Sequence, residues 1–338
     1  MTGSMGRRTV LLGAGALAAP AVLAQELPVL RVTHFGGPYN ALTSVIAEPF
    51  AAARLGRVVY ETENSVTALT KLQAQREAPP FDIVMLSRGF TGRVGGAGFL
   101  SPLDPARSDL VDGAIAPRNW GAAMLIDGID IMYDRTKVTT PIESWLDLWR
   151  PDLRGLVTMP SASLPVYFVV MQIARALGGD PTQPAAIDAA FAKLREIKPN
   201  IRTFYSDPVQ GSQMIERGEV AAAIQFAGRI APVMRGNPNI VRASPREGVV
   251  GAPYDLCLVN NGRNREAAIA YIDFCLAEPQ QSALAARLLV APSHRRATVP
   301  EAAQNFLVPL DKVWFPDEEF AASRAAEWSR RWQREVQS

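Results

Sequence analysis

Two arginines, Arg88 and Arg229, each follow a short apolar run that reads as a strand. A guanidinium in such a place offers a planar fork of donors matched to carboxylate or phosphate oxygens. A third apolar run ends in His34-Phe35-Gly36-Gly37-Pro38-Tyr39. The paired glycines there let backbone approach a ligand closely, with Gly37 inside the turn, Tyr39 as a wall and His34 as a polar strand end. These residue types suit the capture of a small polar molecule. Material for catalysis is scarce, because His34 and His294 are the only histidines and any Ser–His–Asp or Cys–His arrangement must use one of them. Cys257 lies inside an apolar run, a poor place for a reactive thiolate. A phosphate-cradling Gly-Lys-Ser/Thr loop is absent, so no ATP site is expected. The reading is a protein that is not an enzyme and needs no cofactor or metal.

The elements that must position these residues alternate between strand and helix. Strands are predicted over 30–35, 58–61 and 81–86, with helices over 39–55 and 66–75, the apolar spacing at Leu42, Val45, Ile46, Phe50 and Ala53 being helical. That order makes two right-handed crossovers and a parallel sheet. A second set follows, with strands over 155–159, 219–225 and 255–259 and helices over 165–177, 184–197, 209–217, 230–235, 265–276 and 318–336. In open parallel sheets, ligands sit outside the carboxyl ends of the strands. That rule selects the loops 34–40, 87–91, 161–165 and 226–229. The chain is expected to cross between two halves near Ile131-Met132-Tyr133 and to return near Pro253-Tyr254-Asp255, giving a hinge.

The first 25 residues read as an export leader. Arg7 and Arg8 precede an apolar run from Val10 to Leu23 that closes on Val22-Leu23-Ala24. At about 14 residues, the run is shorter than the ~20 a membrane-spanning helix requires. Arg7-Arg8 also fits a twin-arginine leader, and the choice between the two export routes stays open. The chain carries 35 Lys plus Arg against 33 Asp plus Glu. Cleavage near Ala24 removes two arginines, so the exported protein is neutral, with no electrostatic draw to nucleic acid or to an anionic membrane. A chain of about 310 residues exceeds one core, so two lobes are expected. Cys257 and Cys275 read as buried thiols, although the compartment permits a disulfide.

Three groups of residues point to a family. They are Phe81-Asp82-Ile83-Val84 with Gly98-Phe99-Leu100-Ser101-Pro102-Leu103-Asp104; Ser144-Trp145-Leu146-Asp147-Leu148-Trp149-Arg150-Pro151-Asp152-Leu153-Arg154-Gly155; and Pro245-Arg246-Glu247-Gly248 with Tyr254-Asp255, Asn264-Arg265-Glu266-Ala267-Ala268 and Glu278-Pro279-Gln280. In this order they resemble the extracellular solute-binding proteins of ABC importers, on the spermidine/putrescine-binding branch, over about residues 30–288. The helical spacing of Trp145, Leu148 and Trp149 marks them as packing residues rather than stacking platforms.

The resemblance implies an α/β, two-lobed periplasmic-binding-protein-like fold of type II, each lobe a mostly parallel sheet flanked by helices. The expected division is a leader over 1–25, lobe 1 over 26–131, lobe 2 over 132–253, a return to lobe 1 over 254–300 and a helical segment over 301–338. It further implies a periplasmic monomer that closes over a solute and presents it to an ABC permease at the inner membrane. Carried over by position, Asp255 matches the family's acid on the second crossing strand, Tyr254 and Phe226 match wall aromatics, and Ser87 matches the polar residue after the third strand. The departures bear on the solute. Neither 34–39 nor 161–167 contains a carboxylate, whereas polyamine binders use several, because a buried ammonium needs counter-charge or π faces. A cleft with Arg88, Arg229 and one acid suits a carboxylate-bearing or zwitterionic solute. The alternatives are a polyamine, ferric iron held by tyrosine with His34 or carboxylate, and an enzyme on the same fold.

Overall fold

The computed structural model describes Met1 and residues 26–104 and 109–338. Apart from Met1, the leader and its cleavage point lie outside the described residues. Among the described residues eleven strands form one sheet: β1 (Val29–His34), β2 (Arg57–Thr62), β3 (Ile83–Ser87), β4 (Leu100–Ser101), β5 (Ala122–Asp134), β6 (Val157–Pro160), β7 (Ile201–Tyr205), β8 (Ala222–Phe226), β9 (Ile240–Arg242), β10 (Val249–Val259) and β11 (Val313–Trp314). Their order is β2-β1-β3-β10-β5-β8-β6-β7, with β4 and β11 added to β10 and β9 to β5. The outer trios β2-β1-β3 and β8-β6-β7 are parallel. Between them the long β5 and β10 run antiparallel to each other, β10 to β3 and β5 to β8. The two parallel halves are thus joined through two crossing strands.

Helices α1 (Glu48–Ala52), α2 (Ser65–Ala74) and α3 (Arg88–Gly96) flank the first half, and α4 (Tyr167–Ala176), α5 (Pro184–Arg195), α6 (Pro208–Glu216) and α7 (Ala227–Gly236) flank the second. The chain returns to the first half with α8 (Arg265–Leu276) and α9 (Glu278–Leu288), then finishes with α10 (Glu301–Gln304) and α11 (Glu318–Trp332). Expected helix 39–55 is broken into a 3-10 turn at Gly37–Ala41, a π turn at Thr43–Ala47 and α1. Pro49 explains the break, since it has no N–H to return to the preceding turn. The expected loop at 87–91 is also corrected: α3 starts at Arg88, directly after β3.

Each half has its own apolar interior on both faces of its strands, which is why the strands read as unbroken apolar runs. In lobe 1, Ile83 and Met85 pack with Leu30, Phe50 and Tyr271, while Val84 and Leu86 turn to Leu69, Phe81 and Val94. In lobe 2, Ala222 and Ile224 face Trp145, Leu148, Phe191 and Trp332, while Ala223 faces Met214 and Ile230. Trp145 and Leu148 are fully buried packing residues. Cys257 and Cys275 are free thiols on opposite faces of the sheet, so alternation along β10 keeps them apart.

Candidate functional site

The carboxyl ends of β1, β3 and β8 open onto one cavity of about 740 Å³ between the halves. Lobe 1 supplies Phe35 to Tyr39, the first residues of α2, Ser87 and Phe90. Lobe 2 supplies Ser163 to Pro165, Pro208, Phe226, Gly228 and Arg229, and the crossing strands supply Asp127 and Tyr254. Leu288 and Val290 complete the wall. Each strand-to-helix junction turns a helix N-terminus toward this space, which gives it a positive bias. The turn after β1 depends on glycine: Gly36 has φ 69°, ψ −166° and Gly37 φ 57°. A Cβ on Gly36 would also stand 2.8 Å from the Thr62 methyl. This turn brings Phe35, Tyr39 and Tyr254 into mutual contact, with ring centroids 5.0 to 6.0 Å apart.

Two charges face the aromatic group. Asp127, 6% exposed, accepts hydrogen bonds at Oδ1 from the N–H of Gly128 (2.8 Å) and of Gly228 (2.9 Å). Burial raises its carboxyl above the ordinary range, while the backbone donors, Arg242 and Arg229 pull it down. The partly buried Arg229 has no hydrogen-bond or ion-pair partner among the described residues. It nevertheless lies close enough to Asp127, Tyr39 and Tyr254 to act on all three. Burial and the Asp127 charge push both phenols upward, so both stay neutral at physiological pH.

The cleft thus lies at strand ends, between the halves and beside the two crossing strands, with room for a small molecule. The family model for bacterial extracellular solute-binding protein matches residues 78–324. This chain belongs to that family. Over 331 residues the solute-binding protein is 26% identical to the spermidine/putrescine-binding periplasmic protein of Escherichia coli, covering 91% of this chain and 90% of that one. Over 340 residues it is 26% identical to the gamma-aminobutyric acid-binding protein of Pseudomonas aeruginosa, covering 96% and 94%. In fold it is similar to a crystal structure of an ABC transporter from Clostridium perfringens, with TM-score 0.80, 24% identity and 91% and 99% of the two chains covered. The first of these relatives is named as a periplasmic binder of spermidine and putrescine, the second as a binder of γ-aminobutyric acid.

Of the residues singled out in sequence, the solute-binding protein brings Gly37, Tyr39, Ser87, Phe226, Arg229 and Tyr254 to the cavity wall. His34, Arg88 and Asp255 lie outside it. Tyr254 and Asp255 are neighbours on one strand, so they point to opposite faces; Tyr254 faces the cleft and Asp255 faces α3. Asp255, fully buried, accepts from Arg88 Nε and Nη2 at 2.7 Å each and from the Thr91 hydroxyl at 2.8 Å. Arg88 gives two further N–H groups to the carbonyls of Gly113 (2.8 Å) and Ala114 (2.9 Å). The pair is a saturated internal tie between α3 and β10. His34, 4% exposed, accepts the Gly36 N–H at Nδ1 (2.8 Å) and packs edge-on against Tyr60, so it supports the glycine turn. Burial lowers its pKa.

Sequence reasoning missed Asp127, together with Phe35, Phe90 and Gly228. A signal for Asp127 was present, because Asp127-Gly128 interrupts a run from Ala122 to Asp134 in which all 13 residues are buried. A carboxylate in such a strand needs a reason. The crossing expected near 131–133 lies on the same strand, four residues beyond Asp127.

Proposed function

We propose that this solute-binding protein captures a small zwitterion, holding its ammonium at Asp127 and its carboxylate at Arg229, with its carbon chain against Phe35, Tyr39 and Tyr254. The carrying observation is the unpartnered Arg229 guanidinium in the same cavity as Asp127, whose charge is met only by two backbone N–H groups and by more distant arginines. A solute with both charges satisfies both residues at once. The γ-aminobutyric acid named for one relative is a molecule of this class. A polyamine fits less well, since Asp127 is the one carboxylate lining the cavity among the described residues and a guanidinium stands near it.

Contacts to both halves favour the closed protein by their differential affinity, and the closed shape is what an ABC permease receives. On this reading the chain is exported, loses its leader near Ala24 and works as a periplasmic monomer. A thermal-shift panel of γ-aminobutyrate, other amino acids, putrescine and spermidine tests it, because a ligand held only by the folded state raises its melting temperature. The expected result is a rise with a zwitterion and little or none with the polyamines. A rise with polyamines alone overturns the reading.

The meeting of Tyr39 and Tyr254 beside Asp127 favours ferric iron as the second reading. Iron would have to displace the protons of both buried phenols. An absorption band in the visible on adding ferric citrate would support iron instead.

A further inference from the structure

The last helix ties the two lobes together at a carboxyl group that solute capture leaves unused. Ala321, Trp328 and Trp332 of α11 belong to the core of lobe 2. Its first turn, however, lies against α3 of lobe 1, where Glu318 Oε2 accepts the Gly89 N–H at 2.9 Å. The packing there is close: a Cβ on Gly89 would be in van der Waals contact with both lobes, 3.5 Å from Glu318 Oε2 and from the Tyr167 hydroxyl of lobe 2, and 3.6 Å from the Ala322 Cβ. Glu318 is therefore enclosed between a helix from each lobe and is 4% exposed.

The groups that face Glu318 do not neutralise it fully. Arg88 on α3 attracts its charge, but that guanidinium is committed to Asp255 on β10. Asp255 itself repels it. Tyr167 on α4 and Tyr254 on β10 are neutral phenols pushed upward, in part by Glu318. On its own segment, Asp317 caps the Phe320 N–H and Glu319 lies over Gly92. Two carboxylates thus share one guanidinium in a closed seam. Burial, first of all, pushes the Glu318 carboxyl up to about 8.

We propose that Glu318 is a proton-operated latch between the lobes, whose neutral form favours the closed protein and whose ionised form favours the open one. The reason is solvation: opening the seam between α3 and the α4–α11 side admits water, which the carboxylate needs and the neutral acid does not. Closure then takes up a fraction of a proton, so solute affinity falls as pH rises through about 8. One proton limits the effect to about tenfold per pH unit. The latch rests on the reading that solute is captured by closure.

The test is a calorimetric titration of γ-aminobutyrate into the wild type and Glu318→Gln at pH 6.5, 7.5 and 9, in two buffers of different ionisation enthalpy. An amine of the lysine kind stays charged over this range. The wild type is expected to lose about three- to tenfold in affinity from pH 6.5 to 9, with proton uptake on binding. Glu318→Gln, which keeps the acceptor for Gly89, should hold the low-pH affinity throughout. A variant that loses affinity as the wild type does, or a wild type with no such loss, overturns the latch. Should γ-aminobutyrate bind neither protein, the zwitterion reading fails for that probe, and the latch is read without solute by small-angle scattering at the same pH values. Expansion at pH 9 in the wild type but not in Glu318→Gln supports it, and equal behaviour overturns it.

Discussion

Arg88–Asp255 and Arg229–Asp127 are the same two residue types put to opposite ends, the first pair outside the cavity and the second on its wall. In the first pair four of the five guanidinium N–H groups are spent: Arg88 gives two to Asp255 and two to backbone carbonyls, and Thr91 adds a third bond to the acid. In the second, Arg229 has no partner among the described residues and Asp127 accepts only from backbone. A completed ion pair has nothing left to offer a solute, whereas charges left incomplete inside a cavity do. The difference lies in which face of a strand or helix each residue occupies.

The comparison can be broken most forcefully at the saturated pair. Removing one member of a buried pair leaves an uncompensated charge, so Asp255→Ala should cost about 3–5 kcal/mol in stability. Chemical denaturation checks this, and a loss under about 1 kcal/mol would show that the tie carries little. Next, Arg229→Ala should weaken zwitterion binding by about thirtyfold or more, in line with about 2–5 kcal/mol for truncating a partner of a desolvated charge. The empty protein's unfolding free energy should change by no more than about 0.5 kcal/mol, the range usual where no paired group is removed. Calorimetry and denaturation of the same sample read both.

Asp127→Asn sharpens the comparison through pH. The folded Asp127 carboxyl lies above its ordinary value, so the folded state holds the proton more tightly than the unfolded state does. Its contribution to stability therefore falls as pH rises from the ordinary carboxylate range through its folded value. Asp127→Asn should flatten that part of the empty protein's stability curve while abolishing ammonium recognition. A variant with the wild-type curve would show that Asp127 is solvated. The smallest effect is expected of Tyr39→Phe, which keeps the ring and removes a neutral hydroxyl: a change of about threefold or less, on the scale of one hydrogen bond.

Much of this architecture is legible in the residues. Apolar runs give β1, β3 and β8 to within a few residues, and the period through Ala268, Tyr271, Ile272 and Cys275 gives α8 over its observed span. The strand-end rule finds Tyr39, Phe226 and Arg229, because the topology of a parallel sheet fixes where its loops gather. It fails for Arg88, since no period in a loop reading says that a helix begins there and turns the side chain inward. It fails for Asp127 because β5 is buried on both faces along its whole length, so alternation gives no signal. Position alone also leads to Asp255, one residue from Tyr254 but on the other face, where Arg88 waits. What sequence leaves open is pairing, which depends on contacts 167 residues apart.

The most direct test is a crystal structure of the protein with the zwitterion that gives the largest thermal shift. The account predicts the solute's carboxylate on the Arg229 guanidinium, its ammonium on Asp127 Oδ2, and the Arg88–Asp255 pair unchanged. A solute bound through Arg88 or Asp255, or one leaving Arg229 and Asp127 both untouched, would contradict it.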